Sequence, residues 1–391
     1  MCALSICLRV RLLATASLLG SALHAAAEYY AYTGPGPIAN VTDIGAISLG
    51  RFNSDTGVFT TPKLLVPDVV QPSFFAVAAD GQHLYSVNEG PVQTLSAYEI
   101  DPATGNLKLL NTSATGGGDT CFVSLDKTGH YAAVASYGGS VAVIPIKADG
   151  SLGERTGFDA HRGRGPNERQ TSAHAHCAVF DPTNKFLLSC DLGTDQIIVY
   201  KFNEKDGTIT QNDPPLVATK PGFGPRHLMF GSSGKFAYVT NELDASVTIY
   251  TWDAEKGTLT EIQNIASIPD KTPKAGIAPA ELALSADGKF LYVSNRDRAN
   301  TDPKSSNDSV GVFSISAADG KLTWIQDMHV GKTPRYITLD PTGKWLAVAL
   351  QGAQSVMILA VDAKTGQLTA KGDAVATAQP NCIAFVAMPG K

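Results

Sequence analysis

The chain has 391 residues, with 31 Lys and Arg against 36 Asp and Glu and a formal net charge of −5. Its basic residues are scattered rather than striped along one face, so no nucleic-acid partner is expected. At 43% apolar residues it is long enough to bury a large, distributed core.

In chain order, the first element is a targeting segment. Arg9 and Arg11 precede LLATASLLGSALHAAA, an apolar run too short to span a bilayer and ending in small residues. Residues 1–27 read as a secretory signal cut near Ala27, so the mature chain is expected to be exported to the periplasm or cell exterior, with no membrane attachment after cleavage.

After EYYAYTG, AISLGRF and VFTTPKL, one phrase repeats six times: an apolar run, a Gly-Lys-like turn, and a second apolar run ending in a polar pair. The copies begin FFAVAADGQHLYSVNE and end RYITLDPTGKWLAVALQ, with turns at Gly81, Gly129, Asn184, Gly234, Gly288 and Gly343. The period is 48 to 55 residues. Each copy continues with a β-branched and aromatic run such as IIVYKF or VTIYTW, a D/E-x-x-x-G-x-L turn such as Asp101 to Leu107, and a fourth short run. Four strands per unit, with no helical periodicity, predict an all-β, seven-bladed β-propeller of four-stranded blades. The seventh copy is split. QPNCIAFV near the C-terminus has the first-strand pattern, and EYYAYTG, AISLGRF and VFTTPKL supply strands two to four. Residues 28–391 are therefore read as a single propeller domain, its ring closed by strands from both termini, which removes exposed sheet edges.

Four cysteines lie beyond the leader, Cys121, Cys177, Cys190 and Cys382, in no zinc-binding spacing. Cys177 and Cys190 are symmetric about the turn near Asn184, directly opposite each other in a regular hairpin; a cross-strand disulfide there is usually strained, and free buried thiols are the preferred reading.

Stacking the copies on their turns gives two polar columns. Eight residues before the turn stand Ser73, Cys121, His176, Arg226, Ala280 and Arg335; seven and eight residues after it stand pairs including Asn88-Glu89, Ser136-Tyr137, Asp191-Leu192, Asn241-Glu242 and Asn295-Arg296. A hairpin returns the chain to where it began, so both columns are expected at one mouth of the central channel, the usual ligand site of a radial fold. His174 and His176 lie two apart and would share a strand face. No third ligand cluster accompanies them, so His176 is read as an acid/base group, with His174 beside it, rather than as a metal ligand. Pairing across the turn would place Asp191 opposite His176, where it could orient the imidazole. The Gly-rich loop HRGRGPNERQ brings Arg162, Arg164 and Arg169 just before this strand, where it could fold over the mouth.

The stretches RQTSAHAHCAVFDPTNKFLLSCDL, GPRHLMFGSSGKFAYVTNE, ELALSADGKFLYVSNR and TPRYITLDPTGKWLAVAL resemble the lactonase family of seven-bladed propellers, which includes propeller-type 6-phosphogluconolactonases and fungal carboxymuconate cyclases. The resemblance implies that His176, Arg226 and Glu242 take part in the chemistry and that Arg296 binds substrate. Arg335, His174, Asp191, Arg169 and Asn241 complete the expected substrate-binding set. Relatives commonly carry a His where this chain has Phe122 in T-C-F, and V-A-N-Q where it has V-A-L-Q with Leu350; these departures imply a different, less polar ligand. The expected activity is metal-independent, cofactor-free hydrolysis of a sugar-type lactone, with a small lactone or an anionic sugar or acid as partner. Two alternatives stay open: a lactone-forming cycloisomerase acting on a muconate-type diacid, and a non-catalytic exported propeller that binds a ligand or a protein.

Overall fold

The computed structural model describes residues 28–36, 44–90, 92–302 and 305–389. The leader read at 1–27 lies outside them. The described residues form seven small antiparallel sheets and no helix. Blade 4 shows the pattern: Pro225–Phe230, Phe236–Asn241, Ser246–Asp253 and Thr258–Ala266 pair in order from the centre outward. Its first hairpin turns at Gly234, whose φ of 67° is reached without strain only because there is no side chain. The alternating aromatic and β-branched residues of these strands are buried between neighbouring blades, whose faces stack into the core.

The innermost strands, in blade order, are Phe75–Val77, Thr120–Leu125, Ala175–Phe180, Pro225–Phe230, Ile277–Leu284, Pro334–Leu339 and Pro380–Ala387. Each contacts the next, and the last contacts the first, so they form a closed ring around a channel. The seam falls where the sequence placed it. Pro380–Ala387 pairs with Glu28–Pro35, with Tyr32 opposite Ala384, and Glu28–Pro35 pairs with Ile44–Asn53. The outer edge of this blade differs from expectation in one respect: VFTTPKL is not one strand, and the edge consists of Val58–Phe59 and a separate segment, Lys63–Val70.

Neighbouring blades are joined by one repeated contact. The Gly of each D/E-x-x-x-G turn in blades 1, 4 and 6, or its equivalent in the other blades, has positive φ and lies against a ring near the start of the second strand of the preceding blade. Examples are Gly257 on Phe186, Gly320 on Phe236 and Gly366 on Phe290; at the seam, Gly105 lies on Tyr30 and Gly57 on Trp345. A side chain at any of these glycines would overlap the ring it covers, so the turn chemistry and the blade spacing are set by the same residue.

The mouth of the channel is shaped by bulges. In blade 3 Ala175 pairs with Asp191 and Cys177 with Cys190, which leaves His176 without an opposite residue. Blade 6 repeats this: Pro334 pairs with Leu350 and Tyr336 with Ala349, leaving out Arg335. In blade 4 the pairs Pro225–Asn241 and Leu228–Val239 leave both Arg226 and His227 out of the ladder, and in blade 5 Pro279–Asn295 and Leu282–Val293 do the same for Ala280 and Glu281. Each bulge bends its strand and re-aims the omitted residues.

Candidate active site

Four of the bulged residues, His176, Arg226, His227 and Glu281, form a hydrogen-bonded cluster at the upper end of the channel. Beside it Glu242, which follows the second strand of blade 4, lies under four guanidinium groups. Its Oε1 is 2.6 Å from Arg169 Nη1 and 3.3 Å from Arg298 Nη1. Its Oε2 is 2.8 Å from Arg226 Nε and 3.0 Å from Arg296 Nη2. The Arg226 contact is ionic in character, since that N–H is not aligned for a hydrogen bond. Burial alone would raise the Glu242 carboxyl; Arg296, Arg226 and Arg169 outweigh it and hold the group well below the ordinary range. Burial also lowers Arg226 and Arg296, opposed mainly by Glu242, and both remain cations at neutral pH.

The arginines are themselves fixed. Arg226 Nη1 donates to the Ala280 carbonyl at 2.7 Å, and Arg296 Nε donates to the Ala278 carbonyl at 3.1 Å. Arg226 Nη2 and Arg296 Nη1 donate no hydrogen bond to a described residue. Arg335 is half-buried and borders a small cavity, about 10 Å³, together with Cys121, Arg226, His227, Glu281 and Asn381. It forms no hydrogen bond or close ion pair with the described residues, and its charge acts on His176, Arg226 and Glu89.

His176 Nδ1 lies 3.2 Å from His227 Nε2, and its ring meets the edge of Tyr137 at 5.7 Å. Burial first, then the charges of Arg226 and His227, keep its imidazole well below the usual histidine value, so it is neutral at pH 7. Its Nε2 accepts no hydrogen bond from a described residue. His174 stacks flat on Tyr137 at 4.2 Å and is 2.8 Å from the Tyr137 carbonyl through Nδ1. Among the described residues no group of three His, Cys, Asp or Glu side chains is placed to hold a metal ion.

The loop HRGRGPNERQ does reach over the mouth, through Arg169 alone; Arg162 and Arg164 are exposed. Two expectations need correction. Asp191 does not orient His176, because the bulge shifts it opposite Ala175 and its oxygens are committed elsewhere. Oδ1 accepts the backbone N–H groups of His174, Gly193 and Thr194, and Oδ2 is 2.7 Å from His161 Nδ1. Asn241 is not turned to a ligand either: its amide donates to Ser246 Oγ at 2.9 Å and Thr248 Oγ1 at 2.8 Å, bracing the next strand. Cys177 and Cys190 lie directly opposite each other, and both thiols are free and buried.

Sequence reasoning missed Arg298, His227 and Glu281. Arg298 sits two residues beyond Arg296, and His227 is the last letter of the G-P-R-H phrase. It also passed over Glu89, which holds in blade 1 the position of Glu242 in blade 4. Asn88 makes the same brace as Asn241, to Thr94 and Ser96. Among the described residues no guanidinium lies within ion-pair distance of Glu89; burial raises its carboxyl, opposed by Arg335 and Ser73.

Next to the cluster, rings pack together across the channel. Phe74 packs on Phe122 at 4.6 Å and on Tyr336 at 5.5 Å, and the His227 ring lies 5.1 Å from Phe122. Phe122, the departure from the resembling sequences, is thus part of this plug. Leu350, the other departure, is buried in the blade core. A hollow of about 320 Å³ is lined by these rings, by His227 and Glu281, and mainly by apolar residues such as Leu228, Leu282 and Leu339.

Residues 36–385 match the model of the lactonase, 7-bladed beta-propeller family. The chain belongs to that family. Over 356 residues it is 32% identical to a 6-phosphogluconolactonase of Bacillus subtilis, an alignment covering 90% of this chain and 98% of that one. Among solved structures, a putative 6-phosphogluconolactonase from Bacteroides fragilis superposes with a TM-score of 0.82 at 36% identity, covering 92% of this chain and 98% of the other. The periplasmic gluconolactonase of Pseudomonas aeruginosa superposes with a TM-score of 0.83 at 30% identity, covering 93% of this chain and all of that one. The match to the lactonase family reaches from just after the seam strand Glu28–Pro35 into Pro380–Ala387, so every site residue named above lies inside it.

Proposed function

We propose that this propeller hydrolyses a sugar-type lactone at the upper mouth of its channel, without a metal ion. The observation that carries the reading is a neutral, buried imidazole with one nitrogen left without a partner among the described residues, set beside guanidiniums that a single carboxylate holds in place. In this mechanism His176 Nε2 takes a proton from water as the water oxygen bonds to the lactone carbonyl carbon. The carbonyl oxygen becomes an oxyanion, stabilised by the uncommitted N–H groups of Arg226 and Arg296. The tetrahedral species then collapses: the bond to the ring oxygen breaks, and the His176 imidazolium returns its proton to that oxygen, leaving a hydroxyl and a carboxylic acid that loses its remaining proton to solvent to become the carboxylate. Glu242 is already ionised and enclosed by arginines, so its part is to orient them rather than to carry a proton. Four guanidiniums against one carboxylate, with Arg335 beyond them, leave a positive surplus that suits a substrate carrying an anionic group. The less polar plug at Phe122 would face the other side of the sugar ring.

The test is an assay against a panel of sugar and aromatic-acid lactones with the wild type, Arg226→Ala and His176→Ala. Turnover is expected to fall about a hundredfold in the first variant, the loss typical of one oxyanion donor, and further in the second. Hydrolysis equal to wild type in both would remove the mouth from the reaction. The leader-like residues 1–27 and the likeness to a periplasmic gluconolactonase support export, and mass spectrometry of the cell-envelope fraction should find a mature N-terminus near residue 28.

A further inference from the structure

Two more buried groups continue the hydrogen bond of His176. His227 Nε2 lies 3.2 Å from His176 Nδ1 and 3.2 Å from Arg226 Nη1, and His227 Nδ1 lies 2.9 Å from Glu281 Oε1. All three side chains are buried, and they come from three consecutive blades.

The proton positions in this chain follow from groups whose roles are fixed. A guanidinium only donates, so Arg226 Nη1 requires a lone pair on His227 Nε2. At the other end Glu281 Oε1 also receives the backbone N–H of Leu282 at 3.0 Å, so it is an acceptor and His227 Nδ1 carries the hydrogen. Both ends therefore demand the same tautomer of His227. Burial holds His227 below the usual histidine value, which agrees with its neutral form. With Nε2 of His227 bare, the facing Nδ1 of His176 must be the donor, and the lone pair of neutral His176 is then on Nε2.

We propose that His227 and Glu281 are positioning residues that lock His176 in the Nδ1–H tautomer and turn its bare Nε2 toward the bound lactone. The assignment rests on the reading of His176 as the base of the reaction. The opposite tautomer would set two lone pairs against each other at 3.2 Å and leave an N–H where the attacking water must give up its proton. After proton transfer the imidazolium keeps its Nδ1–H bond to His227, and Glu281 lies behind it to offset the new charge. No proton needs to travel along the chain.

Two measurements test this. In the wild type at pH 7, with ¹⁵N-labelled histidine, the ring signals of His176, assigned by their loss in His176→Gln, are expected to show a protonated Nδ1 and an unprotonated Nε2. A protonated Nε2 would overturn the proposal, and the result does not depend on any activity. In the second, His227→Gln keeps an amide oxygen able to accept from both His176 and Arg226, whereas His227→Leu keeps only bulk. kcat of the Gln variant is expected within about tenfold of wild type, and that of the Leu variant down by about a hundredfold or more with KM unchanged, the size of an acid/base contribution. Equal kcat in the two variants, both folded by circular dichroism, would overturn the positioning role. If the Leu variant does not fold, the NMR result alone decides. A wild type with the expected tautomer but no hydrolysis of any lactone would sink the proposed function and leave the tautomer assignment standing.

Discussion

Glu242 is the residue on which the geometry of the mouth depends. Its two oxygens meet guanidiniums from the loop before blade 3, from two strands and from the insertion after Arg296. Remove its charge, and like-charged groups are left buried and unpaired, which costs far more than the pairing itself gains. Glu242→Gln is therefore expected to lower stability by about 3 to 5 kcal/mol, read from the midpoint of urea unfolding; an unchanged midpoint would show that the arginines are held by their backbone carbonyl contacts instead. At this scale the sequence was partly legible. Stacking the repeats on their turns singled out His176, Arg226, Arg335, Glu242 and Arg296, because a hairpin returns both columns to one end. It did not single out His227, because strand alternation says that a neighbour of Arg226 faces the other way, and only the bulge in blade 4 turns both inward. The same irregularity in blade 3 defeated the pairing of Asp191 with His176. Bulges are decided by local backbone geometry, which periodicity does not record.

The blade was legible to a greater extent than the site, since its turns carry their own chemistry. Each D/E-x-x-x-G turn was readable as the end of a strand; its packing against the preceding blade was not, because the aromatic partner lies some seventy residues away, as Phe186 does from Gly257. Two glycines separate the effects. Gly257, at φ 67°, lies on the Phe186 ring, whereas Gly343, at φ 71°, has nothing within 4 Å of where a Cβ would stand. Gly343→Ala is expected to cost only backbone strain, about 1 to 2 kcal/mol, and Gly257→Ala that strain plus about 1 to 3 kcal/mol of overpacking. Thermal melts of the two variants compare them directly, and equal losses would mean that the blades yield readily at this contact. The split outer edge of blade 7 was not foreseen, because Pro62 and its neighbours interrupt a run that otherwise reads as one strand.

For the molecule as a whole, the buried ionisable groups at the mouth set how stability varies with pH. His176 and His227 are held below their usual value of 6.5, so as pH falls the unfolded chain takes up protons first and the folded state loses stability from about pH 6.5 downward. Glu242, held below 4.5, adds a second loss of the same sign under that pH. Glu89 has the opposite sign: its raised carboxyl binds a proton first in the folded state and offsets part of the loss. Denaturation midpoints are expected to drop between pH 6.5 and 5, and to drop less in His227→Gln. A midpoint flat across that range would mean that these imidazoles take up protons inside the fold as readily as outside it.

The ring plug has a kinetic consequence. Phe74, Phe122 and Tyr336 pack together at the waist, so in the proposed mechanism a ligand bound at the upper mouth leaves by the side it entered. Hydrolysis turns a neutral ester into a carboxylate, so the product acquires a negative charge among Arg169, Arg226, Arg296, Arg298 and Arg335 and is retained more strongly than the substrate was. Inhibition by the free acid should therefore limit turnover at low ionic strength and ease as salt screens the attraction over about 10 Å at 0.1 M, making departure rather than bond breaking the slow step.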